Sequence, residues 1–135
     1  MKFKLAYLRD FATRYTTAWC SQNPAAVAAF YAPSGSLTIN DGQPATGRAA
    51  IVESAREFMT AFPDMRVVFD NLVVKNDRAE FHWTLTGTNN GPGGGGHRVH
   101  ITGFEEWTLS EDGLIANSLG HFDAAEYQRQ LAHGL

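Results

Sequence analysis

The chain carries one cysteine, Cys20, in 135 residues. A lone thiol cannot close a disulfide within the chain, so a disulfide-stapled scaffold is excluded and a reducing compartment fits. Positive charge is also scarce, with 11 Lys and Arg against 14 Asp and Glu and a net charge of −3. None of it is clustered, and a nucleic-acid surface needs a clustered basic footprint, so no nucleic-acid partner is expected. Long apolar runs are missing too. The opening stretch MKFKLAYLRDF is broken by Lys4, Arg9 and Asp10, too soon for a signal-peptide core or for the roughly 20 apolar residues of a membrane span. These absences predict a cytoplasmic protein with no membrane partner. Metal-ligand spacing is absent: in His97-x-x-His100 the two rings fall on opposite faces of a strand and do not converge. There is no nucleophile elbow and no Ser-His-Asp signature.

What is present is ordinary globular material. Hydrophobic residues make up 44% and charged residues 19%, which supports one domain over 1–135 with a real core and room for a pocket. The most unusual stretch is residues 89–98, NNGPGGGGHR. A phosphate-binding glycine loop leads from a strand into a helix, whose N-terminus supplies free N–H groups. Here the glycines lead into His97-Arg98-Val99-His100-Ile101-Thr102, which alternates like a strand. The run therefore reads as a connection between two strands, and a loose connection at a pocket rim would serve as a lid.

Around that loop the pattern changes class once. Residues 3–22 read as a helix whose apolar face is Leu8, Phe11, Tyr15, Ala18 and Trp19, at helical spacing. Asn23-Pro24 caps and opens a second, short helix. Pro33-Ser34-Gly35 reads as a turn and residues 36–40 as a short strand. A third helix follows Thr46, with Ile51, Ala55, Phe58 and Phe62 as its stripe. From Met65 to Phe122 the period is that of strands, over 65–75, 78–89, 98–109 and 114–122, and residues 123–132 close the chain as a helix. Helices segregated ahead of sequential, turn-linked strands predict an α+β fold. Its form would be a cone-shaped, strongly curved, mostly antiparallel sheet wrapped around three N-terminal helices, with a short C-terminal helix.

Several polar residues stand in apolar phases. In the strand over 98–109, Val99, Ile101, Gly103, Trp107 and Leu109 share a face with Glu105. A carboxylate there is expensive unless paired, protonated or at work; a β-bulge near Gly103 would instead turn it outward. In the last strand Ile115, Asn117, Leu119, His121 and Asp123 share one phase, so His121 and Asp123 form a candidate acid–base pair. Asp123-Ala-Ala-Glu126 is equally a capping box. Tyr15 brings a hydroxyl that needs a partner once buried. Asp41 reads mainly as a turn residue.

The segments FYAP at 30–33, GRAAI at 47–51, WTLTGT at 83–88, GFEEW at 103–107, DGLI at 112–115 and the HFD ending at 121–123 appear in one order over most of the chain. So arranged, the sequence resembles the SnoaL-like polyketide cyclases, within the wider group sharing the cone fold of nuclear transport factor 2 and ketosteroid isomerase. The resemblance implies an Asp at the end of the last strand, here Asp123, as general acid/base for an intramolecular aldol closure without metal or cofactor. From the isomerase branch it implies Tyr15 as an oxyanion donor and Glu105 as a second, protonated donor, the arrangement of ketosteroid isomerase. It places the isomerase base near Asp41, about two residues out of step, and it suggests a homodimer.

The candidate catalytic residues are therefore Asp123, His121, Tyr15 and Glu105. Trp19, Phe30, Asp41, Phe58, Trp83, Trp107 and Leu119 are the candidate pocket residues. A cofactor-free enzyme acting on a hydrophobic carbonyl compound, by cyclisation or by a steroid-type isomerisation, is one expectation. A non-catalytic module binding a hydrophobic small molecule is the second, and a structural domain with a filled cone is the third.

Overall fold

The computed structural model describes residues 3–135. Helix α1 (Leu5–Trp19) buries Leu8, Phe11, Ala12, Tyr15, Ala18 and Trp19 along one side, the stripe that helical spacing predicts. It stops three residues earlier than the pattern suggested, because Gln22 turns into the left-handed region and the Asn23 side chain caps α2 (Pro24–Ala28) through the Ala25 N–H. Helix α3 (Arg48–Ala61) buries Ile51, Ala55 and Met59.

Strands β1 (Tyr31–Ile39), β2 (Ala45–Thr46), β3 (Arg66–Lys75), β4 (Arg78–Thr88), β5 (Arg98–Leu109) and β6 (Ile115–Phe122) form one curved sheet in the order β2-β1-β6-β5-β4-β3. All neighbours are antiparallel except β1 and β6, which run parallel. The fold is α+β as expected. The first strand is longer than the expected 36–40, running through Pro33-Ser34-Gly35. Its pairing with β6 shifts register between Tyr31 and Ser36, a bulge that accommodates a proline with no N–H to donate. Helix α4 (Ala124–His133) follows β6.

Register decides which side chains face inward. From Gly103 to Thr108, β5 pairs with β4 and β6 without a shift, so no bulge rotates Glu105 outward. The irregularity lies in β6 instead: Thr108 faces Asn117 whereas Leu109 faces Ile115. The additional residue, Ala116, inverts the alternation of β6 from that point. Ile115, Ser118 and Gly120 are buried, whereas the uninterrupted alternation expected from the sequence put Leu119, His121 and Asp123 with Ile115.

The glycine-rich connection is tied down. The Gly91 N–H bonds to the Ala61 carbonyl at the end of α3, and across the loop the Asn89 N–H bonds to the His97 carbonyl and the Gly96 N–H to the Asn89 carbonyl. A Cβ at Gly91 would overlap the Thr60 carbonyl oxygen, so the absence of a side chain here permits close packing onto α3. The loop supplies no lining residue to the cavity described below, and the lid expectation is set aside.

Candidate functional site

A cavity lies between the inner face of the sheet and the helices, lined by Trp19 of α1, Phe58 of α3, Leu37 and Ile39 of β1, and Phe81, Trp83 and Leu85 of β4. Val67, Ile101, Gly120, Phe122 and Tyr127 complete the wall, and Glu105 is its one carboxylate. The free volume is about 60 Å³, small beside the several hundred Å³ of a drug-sized pocket, so this shape suits a compact ligand. Gly103 shapes the wall, because a Cβ there would meet the Trp83 ring at 2.7 Å.

Glu105 is only 7% exposed. Its Oε1 accepts three hydrogen bonds: from the Tyr15 hydroxyl at 2.9 Å, the Trp107 indole N–H at 2.9 Å and the Ser118 hydroxyl at 2.7 Å. Oε2 receives only a longer contact from Tyr15 at 3.3 Å. Oε1 is thus saturated, and a proton on this carboxyl belongs on Oε2. The Tyr15 and Tyr31 hydroxyls lie 2.8 Å apart, so Tyr31 extends the network. Four elements converge here: α1 brings Tyr15, the start of β1 brings Tyr31, β5 brings Glu105 and Trp107 at period-two spacing, and β6 brings Ser118 through its bulge.

Burial is the main cause that lifts the Glu105 carboxyl above the ordinary range, and hydrogen bonds from Trp107, Ser118, Tyr15 and Tyr31 pull the other way. Burial, and then the adjacent Glu105 charge, push the Tyr15 and Tyr31 phenols well above theirs. Both tyrosines therefore stay protonated and act as donors. The Trp19 indole N–H is buried without a hydrogen-bond partner, and its ring meets Tyr15 edge-on at 6.4 Å. Phe81 stacks on Trp107 at 5.0 Å, and Tyr15 meets Trp107 edge-on at 5.3 Å, which fixes both donors by packing.

Of the sequence-predicted catalytic residues, Tyr15 and Glu105 come together and Asp123 and His121 do not join them. Asp123 is exposed. Its Oδ1 accepts from the Glu126 N–H at 3.0 Å, the N-cap bond of α4, and it lines neither this cavity nor the depression on the outer face. His121 lies on the outer face, its Nε2 2.8 Å from Glu106 Oε1 and its ring 4.8 Å from Phe104. Asp41 borders a separate depression on that face with Asn40, His82 and Thr102. Trp19, Phe58 and Trp83 line the cavity. Trp107 is fully buried behind it, Phe30 packs against Phe11 and Tyr15, and Leu119 is half-buried opposite Glu106 on the outer side. Sequence reasoning missed Tyr31, Ser118, Phe122 and Tyr127. The first lay in a segment read as helix and turn, the next two were placed in the outer phase of β6, and Tyr127 lies on the inner side of α4.

Among the described residues, no group of three or more His, Cys, Asp or Glu is placed to hold a metal ion. No helix among them is long and apolar enough to cross a membrane.

A SnoaL-like domain profile matches residues 12–118. A search of curated protein sequences gives no match. Among solved structures, a candidate SnoaL-like polyketide cyclase from Jannaschia sp. CCS1 superposes with a TM-score of 0.83 at 17% identity, covering 100% of this chain and 99% of that one. A hypothetical protein with a ketosteroid isomerase-like fold from Catenulispora acidiphila, solved with trimethylamine, gives 0.79 at 15% identity over 91% and 92%. TerC, co-crystallised with polyporic acid, gives 0.78 at 14% identity over 93% and 98%. Identities this low carry the fold and not the chemistry. Helices on a curved sheet, an apolar cavity between them and the match over residues 12–118 agree: the chain belongs to the SnoaL-like family.

Proposed function

We propose that this chain is a cofactor-free acid/base enzyme acting on a compact hydrophobic carbonyl compound, by an intramolecular aldol closure of the polyketide-cyclase kind or a related isomerisation. The observation that carries the reading is Glu105, a buried carboxyl that lines an otherwise apolar cavity and keeps hydrogen-bonding capacity on Oε2. Ionised Glu105 takes a proton from the carbon next to a carbonyl, breaking the C–H bond. The enolate attacks a second carbonyl of the same molecule and forms the C–C bond. Glu105 returns its proton to the new alkoxide. Tyr15 and Tyr31 hold the carboxylate in place without losing their own protons, and the raised affinity of Glu105 for a proton suits both halves of the cycle. In this reading Asp123 caps α4 and moves no proton. Small molecules bound to proteins of this fold, polyporic acid in TerC among them, support a ligand-binding use of the cavity.

Closure by addition conserves mass. The test incubates the protein with short aromatic compounds bearing two carbonyls and follows products of unchanged mass and altered retention. Consumption by the parent and not by Glu105→Gln is expected. Equal consumption by both would overturn the assignment.

A further inference from the structure

Glu105 has a second unusual property, which is its lack of a counter-ion. Its three hydrogen-bond partners, Tyr15, Trp107 and Ser118, are all neutral donors, and no cation acts on it among the described residues. Buried charges are ordinarily paired. The same cavity is walled by six aromatic rings, those of Trp19, Phe58, Phe81, Trp83, Phe122 and Tyr127. Neighbouring rings stand nearly at right angles: Trp19 to Phe58 at 78°, Trp83 to Phe122 at 67° and Phe122 to Tyr127 at 80°. Perpendicular walls around one space present π-faces as well as edges to it. Aromatic faces attract organic cations, most strongly where water is excluded. The small volume selects a compact cation.

We propose that this cavity binds a small alkylammonium cation, caged by the six rings, with Glu105 as its counter-charge. A free ammonium ion or lysine-like primary amine is a poorer fit, because its N–H groups would meet an apolar wall with one acceptor, whereas N-methyl groups ask for none. The inference rests on charge and ring geometry and does not depend on any turnover of a carbonyl compound.

The test compares tetramethylammonium with tert-butanol, a neutral molecule of similar shape, at constant ionic strength and about pH 8, well above the ordinary carboxyl range because burial raises Glu105. Binding is followed in the ¹⁵N–¹H spectrum, where the chain's three tryptophans each give one indole signal, and by calorimetry. The expected result is saturable shifts of the Trp19 and Trp83 signals with tetramethylammonium, and a preference over tert-butanol of at least about tenfold. That preference should fall to within about threefold in Glu105→Gln, which keeps the size of the side chain. In Phe58→Leu, which keeps the carboxylate, the cation should weaken more than the alcohol. The proposal is overturned if tert-butanol binds as tightly as the cation. It is equally overturned if the preference survives in Glu105→Gln, or if neither probe moves an indole signal up to about 50 mM, well past ordinary weak binding.

Discussion

Replacing Glu105 by Gln should stabilise the protein, and by an amount that depends on pH. Gln can present its carbonyl oxygen where Oε1 stands and keep the bonds from Tyr15, Trp107 and Ser118, at 2.9, 2.9 and 2.7 Å. Only the 3.3 Å contact at Oε2 is exchanged for an amide N–H₂. Losing the charge weakens the three short bonds by about 1 kcal/mol each, about 3 kcal/mol in all. It also removes the desolvation of a buried carboxylate, several kcal/mol and here taken as about 4–5 kcal/mol. The balance favours Gln by about 1–2 kcal/mol where Glu105 is ionised in the folded state. The folded carboxyl lies above its ordinary range because it is buried, so the folded state holds this proton more tightly than the unfolded chain does. Below the unfolded value near 4.3 both states are protonated and parent and variant should match. As pH rises through the folded value, the parent loses stability and the variant does not. Urea unfolding of both proteins between about pH 4 and pH 9 reads the difference directly. A constant difference across that range, or a variant less stable than the parent at high pH, would refute the reasoning.

Three other perturbations follow from particular contacts. Asp123→Asn should leave stability within about 0.5 kcal/mol, because Asn caps as well as Asp, whereas Asp123→Ala should cost about 1 kcal/mol by chemical denaturation; neither should alter chemistry at Glu105. Gly91→Ala should destabilise by about 2 kcal/mol in the same assay, since the new methyl overlaps the Thr60 carbonyl and the end of α3 must shift. Gln130 is 5% exposed, and its side chain bonds both the N–H and the carbonyl of His100 at 2.7 and 3.2 Å. Gln130→Leu should cost about 1–2 kcal/mol and speed hydrogen exchange in α4 before it does so in β4.

The legible and the illegible parts of the sequence divide along a physical line. Helix α1 and strands β4 and β5 declare themselves because each keeps one period over ten or more residues, and one buried face fixes the register; β3 is legible from its Val and Phe content although its register shifts between Phe69 and Asn71. Glu105 stands out as a charge in an apolar phase, and Tyr15 as a hydroxyl on a buried stripe. Ser118 and Phe122 were hidden because one additional residue, Ala116, inverts β6, and a bulge of this kind leaves no strong mark in a single sequence. That inversion moved His121 and Leu119 to the outer side. Tyr31 was hidden because β1 runs through Pro33 and Gly35, residues that read as a turn, and is held there by pairing with a strand more than eighty positions away. Asp123 fitted two roles in sequence, and the capping bond to Glu126 is the one formed.

The most direct test of Glu105 as the proton carrier is hydrogen–deuterium exchange at the carbon next to the carbonyl of a compact aromatic ketone such as 2-indanone. The exchange is followed by NMR in heavy water with parent, Glu105→Gln and Asp123→Asn. The account predicts accelerated exchange by the parent, unchanged acceleration by Asp123→Asn, and a loss of about 100-fold or more in Glu105→Gln. Exchange that survives in Glu105→Gln and disappears in Asp123→Asn would contradict it.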